Sequence, residues 1–221
     1  MNDLVDTFRF AAKASTRPVG LSAKRAIDIV LALTGIILLA PLFAICFVAT
    51  AITSPGPVLF RHRRVGFGGK YFDCLKFRTM ATDASTRLRD LLDSDPVAAA
   101  EWTTTRKLRH DPRVTTIGAV LRKSSLDELP QLFNVLKGEM SIVGPRPVTQ
   151  DELGRYSDSV DAYLSCRPGI TGLWQVSGRS TTTYEKRVEY DAFYARNWSM
   201  ALDAKILIVT IPVVLLSDSG F

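Results

Sequence analysis

The chain is poor in the residues that staple or metallate small proteins. Its 221 residues include three cysteines, Cys46, Cys74 and Cys166, with no framework spacing. No disulfide scaffold is implied, and a reducing compartment is the default. The two histidines, His62 and His110, are too few and too scattered for a zinc site. No internal repeat or low-complexity tract is present. A phosphate-binding loop is missing too. The cluster Gly66-Phe67-Gly68-Gly69-Lys70 lacks the G-x-x-x-x-G-K-[ST] spacing, and no helical pattern follows it, so it reads as a hairpin turn.

One long stretch lacks charge altogether. From Ile29 to Ile52 the chain runs 24 residues without a charged side chain. As a helix it would extend about 36 Å, against a bilayer hydrocarbon core of roughly 30 Å. It is too long for a typical signal-peptide core, although Ala49-Thr50-Ala51 has the form of a cleavage site. Pro41 falls at its midpoint after Ala40 and predicts a kink. Both flanks are basic, Lys24-Arg25 before and Arg61, Arg63 and Arg64 after. The positive-inside rule favours one cytoplasmic side for both flanks. A broken helix that enters the membrane and returns to the same face satisfies these facts together.

The rest of the chain reads as short elements. Val58–Arg64 and Tyr71–Arg78 have the composition of two strands, the second presenting Lys76 and Arg78 on one face, towards an anion, solvent or headgroups. Residues 82–107 are charged and helix-like with a break at Asp95-Pro96, and Val114–Gly118 reads as a strand or turn. The stretch Arg167–Arg179 reads as a loop around Trp174, suited to a planar base and its phosphates or else plain surface packing. Tyr184–Trp198 has helical spacing of Tyr190, Phe193, Tyr194 and Trp198. Ile206–Leu216, 11 residues containing Pro212, is too short to span a bilayer and suits its interface.

Chemistry concentrates between Arg122 and Pro147. Leu129, Leu132, Phe133 and Leu136 form a helical stripe closed by Lys137 and Gly138, and Pro130 belongs in a first turn. The expected helix therefore begins near Asp127 and Glu128, placing both carboxylates at its positive end, where a metal can join them. On spacing alone, Ser125-x-x-Glu128 is more simply a capping box. Carboxylates, Arg122 and the stiffened corner Gly144-Pro145-Arg146-Pro147 together exceed what a cap requires. The net charge of +6 suits an anionic partner: lipid headgroups, a phosphorylated substrate or nucleic acid. No nucleic-acid reading motif accompanies it.

Four segments, Lys76-Phe77-Arg78-Thr79-Met80, Ser125-Leu126-Asp127-Glu128-Leu129-Pro130-Gln131-Leu132, Gly144-Pro145-Arg146-Pro147 and Pro168-Gly169-Ile170-Thr171-Gly172-Leu173-Trp174-Gln175, stand in the order seen in bacterial sugar transferases. The chain resembles this family, the monotopic phosphoglycosyl transferases, from about Lys24 onward, and most resembles its short galactose-1-phosphate transferases that prime exopolysaccharide synthesis. The resemblance implies transfer of a hexose 1-phosphate from a UDP-sugar to undecaprenyl phosphate with release of UMP; galactose is favoured, with glucose the alternative. It implies Asp127 as nucleophile, Glu128 as its partner, magnesium held by the dyad, and Lys76, Arg122 and Arg146 as phosphate-facing cations. Arg78 and Arg179 join these as candidate substrate-binding residues. The family's membrane helix breaks at Ser-Pro; here the pair is Ala40-Pro41.

The expected fold is α+β. Residues 1–23 form a lead-in, 24–54 a re-entrant anchor, and 55–221 a compact cytosolic catalytic domain of helices and short strands with interfacial amphipathic helices. The expected location is the bacterial inner membrane, among its lipids, without nucleic acid, and with homo-oligomerisation left open. The competing reading is a non-catalytic, membrane-tethered binding or regulatory protein with a basic lipid-facing surface.

Overall fold

In the computed structural model, the residues described are 17–105, 108–177 and 183–216. The chain packs as two units, each with its own core. Helix α1 (Leu21–Leu38) runs through the first unit to Gly35, and its last turn belongs to the second. Leu39 breaks the run, and α2 (Ala40–Thr53) follows with Pro41 in its first turn, where a helix needs no backbone donor. The two axes are bent by 65° at the break. Among the described residues no single helix is long and apolar enough to cross a membrane; α1 and α2 meet that test only as a bent pair.

Strands β1 (Leu59–Val65) and β2 (Tyr71–Phe77) form a two-stranded sheet, joined by the glycine cluster as a turn with Gly68 and Gly69 at positive φ. The hairpin expected there is present. The helical stretch at 82–107 resolves into α3 (Ala84–Ser94) and α4 (Pro96–Thr105), broken where Pro96 predicts. Val114 makes an isolated bridge to Met80, and α5 (Thr116–Lys123) starts immediately after Thr115, whose hydroxyl accepts from the Gly118 N–H at 3.0 Å. The second unit closes on Cys46, Phe77 and Leu121, with Phe43, Ile117, Leu126 and Leu129 against them.

The first unit contains α6 (Gln131–Lys137), β3 (Ser141–Val143), α7 (Gln150–Leu153), α8 (Val160–Leu164), β4 (Gly169–Thr171), α9 (Leu173–Ser177), α10 (Tyr184–Arg196) and, as far as Val213, α11 (Met200–Leu216). The predicted loop at 167–179 is thus largely a strand and a short helix. Strands β3 and β4 pair in parallel, Ser141 with Gly169 and Val143 with Thr171. Of the α10 stripe, Tyr194 is buried while Phe193 is half exposed, so only part of it is core.

The basic pair before the uncharged run is engaged inside the first unit. Lys24 is buried, 2.5 Å from Asp203, whose carboxylate also accepts from Tyr194 OH (2.7 Å) and Trp198 Nε1 (3.0 Å). Arg25 donates to the Val135 and Leu136 carbonyls at 2.5 and 2.8 Å, and Arg167 donates to the Gly138 carbonyl at 2.9 Å. These cations satisfy the orphan carbonyls at the end of α6. Buried Asp28 accepts from Ser141 Oγ and the Ile142 N–H, both at 2.9 Å. Tertiary ion pairs and helix caps thus take residues that the sequence shows only as a basic flank of the uncharged run.

Beyond β3 the backbone passes so close to β4 that only glycine fits. A Cβ on Gly144 would fall inside contact distance of the Arg167 carbonyl and 2.8 Å from the Gly169 nitrogen. Gly144→Ala is therefore expected to destabilise by about 2 kcal/mol. Gly154→Ala, where nothing lies within 4 Å, should leave the melting temperature unchanged. Thermal melts of the two variants compare them directly; equal stabilities would contradict the close packing.

Candidate active site

Asp127 and Glu128 lie in a single 3-10 turn, Leu126–Glu128, between α5 and α6. Ser125, the residue just before this turn, has φ of 57°, in the left-handed region, and makes no side-chain cap bond. The capping box is therefore not formed. Nor are the carboxylates in the first turn of α6, which begins at Gln131 after Pro130. The spacing of the apolar stripe does give a helix, but the tight turn takes the residues before the proline. Leu126 and Leu129 pack into the second core, which fixes the turn and holds Asp127 at 8% exposure.

Two other elements bring cations to this turn. Lys76, near the end of β2, places Nζ 2.6 Å from Glu128 Oε1 and 3.6 Å from Asp127 Oδ2. Arg122, in the last turn of α5, donates Nε to Thr79 Oγ1 at 2.8 Å and feels the charge of Asp127. Burial pushes the Asp127 carboxyl above its ordinary value; Lys76 and Arg122 pull it down, and neighbouring Glu128 pushes it up. Burial likewise lowers Arg122, against the pull of Asp127 and Asp111. Behind Arg122, Asp111 binds the Arg113 fork at 2.8 and 2.7 Å, and Arg113 lies 4.8 Å from the Trp102 ring centroid.

The structure thus gathers Lys76, Arg122, Asp127 and Glu128 within one unit. Arg78 shares the strand end but serves the backbone instead, buried and donating to the Ser54 carbonyl just past α2. Arg146 belongs to the other unit, exposed, with its guanidinium 5.5 Å from the Trp174 ring centroid. Arg179 lies outside the described residues. Sequence reasoning missed Thr79, Asp111 and Arg113. The Asp111-Pro112-Arg113 spacing was a legible hint, since a proline between opposite charges restrains both for a local fork. Among the described residues no cluster of three or more His, Cys, Asp or Glu could hold a metal by protein ligands alone.

A carboxyl with a raised value takes its proton more readily when folded than when unfolded. Its contribution to stability is present below the ordinary carboxylate range and is lost as pH rises through the folded value. Asp127→Asn removes that burden, so its melting temperature should equal or exceed the parent's at pH 7, with the gain shrinking towards pH 4. A loss of several degrees at pH 7 would mean that attraction to Lys76 and Arg122 outweighs burial.

A family model described as bacterial sugar transferase matches residues 19–217. An exopolysaccharide production protein of Sinorhizobium fredii is 49% identical over 93% of this chain and 91% of its own length. An undecaprenyl-phosphate galactose phosphotransferase of Salmonella typhimurium is 49% identical over 90% of this chain and 41% of its own. A UDP-glucose:undecaprenyl-phosphate glucose-1-phosphate transferase of Escherichia coli is 41% identical over 85% and 39%. With nearly its whole length matched, the chain belongs to the bacterial sugar transferase family.

Proposed function

We propose that this chain transfers a hexose 1-phosphate, galactose in preference to glucose, from a UDP-sugar to undecaprenyl phosphate, releasing UMP and starting an exopolysaccharide. The observation that carries the reading is the buried Asp127 carboxylate, flanked by Glu128, Lys76 and Arg122. The relatives' names supply the substrates. A membrane-tethered binding protein would need no such grouping, and its cap is not formed.

In the proposed reaction an Asp127 oxygen attacks the phosphorus that bears the sugar. The bond from that phosphorus to the UMP oxygen breaks, and UMP leaves with the electron pair. An oxygen of undecaprenyl phosphate then attacks the same phosphorus and frees Asp127. Lys76 and Arg122 offset the charge that otherwise keeps a carboxylate from a phosphoryl group. Partial desolvation strengthens that attraction and raises the basicity of the attacking oxygen. Asp127 and Glu128 are hard oxygen donors, the set magnesium takes together with substrate phosphates and water. Bound there, the ion would draw charge off the phosphoryl oxygens.

The acceptor's tail requires a membrane. The bent α1–α2 pair is read as a re-entrant anchor; its outward apolar residues include Val30, Ile37, Leu38, Ile45 and Ile52. Ile208 and Ile211 give α11 a similar exposed face, read as lying in the interface. The catalytic units then stand on the cytoplasmic side of the inner membrane, where UDP-sugars are found.

Two outcomes test this reading. With purified protein in detergent, UDP-galactose, undecaprenyl phosphate and magnesium, the parent should release UMP and Asp127→Asn should not; Arg122→Lys, which keeps charge but loses the fork, should fall at least about tenfold. Near-parental release by Asp127→Asn would remove it as nucleophile. For topology, single cysteines Ser22→Cys and Arg61→Cys, with the native cysteines replaced, should both resist an impermeant thiol reagent in intact cells and both react in inverted vesicles. Labelling of Ser22→Cys from outside would mean that the pair spans.

A further inference from the structure

Arg122 stands in the last turn of α5 among three charges. Asp127 and Asp111 draw it and Arg113 repels it, the pull of Asp111 exceeding the push of Arg113. A long side chain pulled from two sides has no single resting place by charge alone, because Coulomb attraction is not directional. Direction comes from a hydroxyl. Arg122 Nε donates to Thr79 Oγ1 at 2.8 Å. The donors of a guanidinium are coplanar and rigid, so a bond at Nε orients the whole fork.

Thr79 suits this role because it is itself held. Strand β2 ends at Phe77, yet the chain stays paired beyond it. The Thr79 carbonyl accepts from the Thr115 N–H at 3.0 Å, Met80 bridges to Val114, and the Ala81 N–H donates to the Arg113 carbonyl at 2.8 Å. Thr115 is also the residue whose hydroxyl caps the start of α5. One clamp, residues 79–81 on 113–115, thus fixes both the helix that carries Arg122 and the hydroxyl that receives it. Thr79 is buried, which shields the bond from water. Arg113 belongs to the same clamp, and its charge works against Arg122; the Asp111 carboxylate takes its fork at 2.8 and 2.7 Å.

We infer that Thr79 is a positioning residue for phosphoryl transfer. Its hydroxyl holds the Arg122 guanidinium in the plane in which it meets the transferring group, while Asp111 offsets Arg113 beside it. The inference rests on the proposed function for the reaction and goes beyond it by giving a role to a side chain outside the dyad and its cations. A fork grips a phosphoryl group through paired, directional bonds, so a tilt weakens it more than it would a point charge. A small misplacement of such a group is felt in turnover more than in substrate binding. A merely structural Thr79 would act through stability, whichever side chain stood at position 122.

The test is steady-state UMP release by the full chain in detergent, with UDP-galactose, undecaprenyl phosphate and magnesium, well below the melting temperature of each variant. Thr79→Val keeps the shape and deletes the hydroxyl; kcat should fall about tenfold with KM for UDP-galactose little changed. Thr79→Ser restores the hydroxyl and should recover most of that loss. Lysine has no Nε, so in the Arg122→Lys background Thr79→Val should cost nothing further. Parental turnover by Thr79→Val overturns the inference, as does a loss that persists undiminished beside Arg122→Lys. Where Thr79→Val does not fold, Thr79→Ala against Thr79→Ser decides; where Arg122→Lys is too slow to read, the kcat of Thr79→Val against that of Thr79→Ser decides. A parent that releases no UMP defeats the catalytic reading and this inference together. A parent that does release it, with either failure above, defeats this inference alone.

Discussion

Two adjacent carboxylates cannot stay charged out of water unless cations are brought to meet them, and the second unit is arranged to do this. Asp127 and Glu128 are successive residues of one tight turn, so their repulsion is fixed by sequence. Relief comes from distant segments: Lys76 from a strand end and Arg122 from the last turn of α5. Thr79 ties Arg122 to the strand that carries Lys76. Gly118 lets α5 lie directly on the Thr79 carbonyl, where a Cβ could not be accommodated. Burial still lifts Asp127 above the ordinary carboxylate value.

The first unit meets an opposite constraint. Its leading helix presents Ile27, Val30, Leu31 and Leu33 outward, so apolar packing alone cannot fix its place. Buried polar groups do much of that work. Lys24 meets Asp203, Asp28 binds the start of β3, and Arg25 closes the end of α6. Charges held this way are directional, so α1 is fixed in rotation and register while its apolar side stays free for lipid in the proposed anchor.

The periodic elements were legible before the structure. The strand pair, the break at Pro96 and the interruption of the uncharged run near Pro41 follow from local rules, and the structure has them; the apolar stripe from Leu129 also gives a helix, but one that starts at Gln131 rather than at the carboxylates. The dyad and Lys76 were singled out because their segments carry a family pattern, and the structure places them side by side. Tertiary competition hid the rest. Nothing local shows that Lys24 and Arg25 will be consumed by Asp203 and two carbonyls, or that Arg78 will turn to Ser54 while Lys76, two residues earlier, meets the dyad. Ser125 has the letters of a cap but adopts a left-handed turn, a choice made by the packing of Leu126 and Leu129. The glycines at 169 and 172 resembled a loop because glycine marks both turns and close backbone contact; here they serve the latter.

The proposed chemistry turns on a covalent step at Asp127. The most direct measurement is the intact mass of the parent protein after incubation with UDP-galactose and magnesium but without lipid acceptor, followed by peptide mapping. One added hexosyl phosphate is expected on the peptide containing Asp127, with its loss when undecaprenyl phosphate is supplied. UMP release that requires both substrates together, with no adduct at any stage, would contradict this and make the transfer direct.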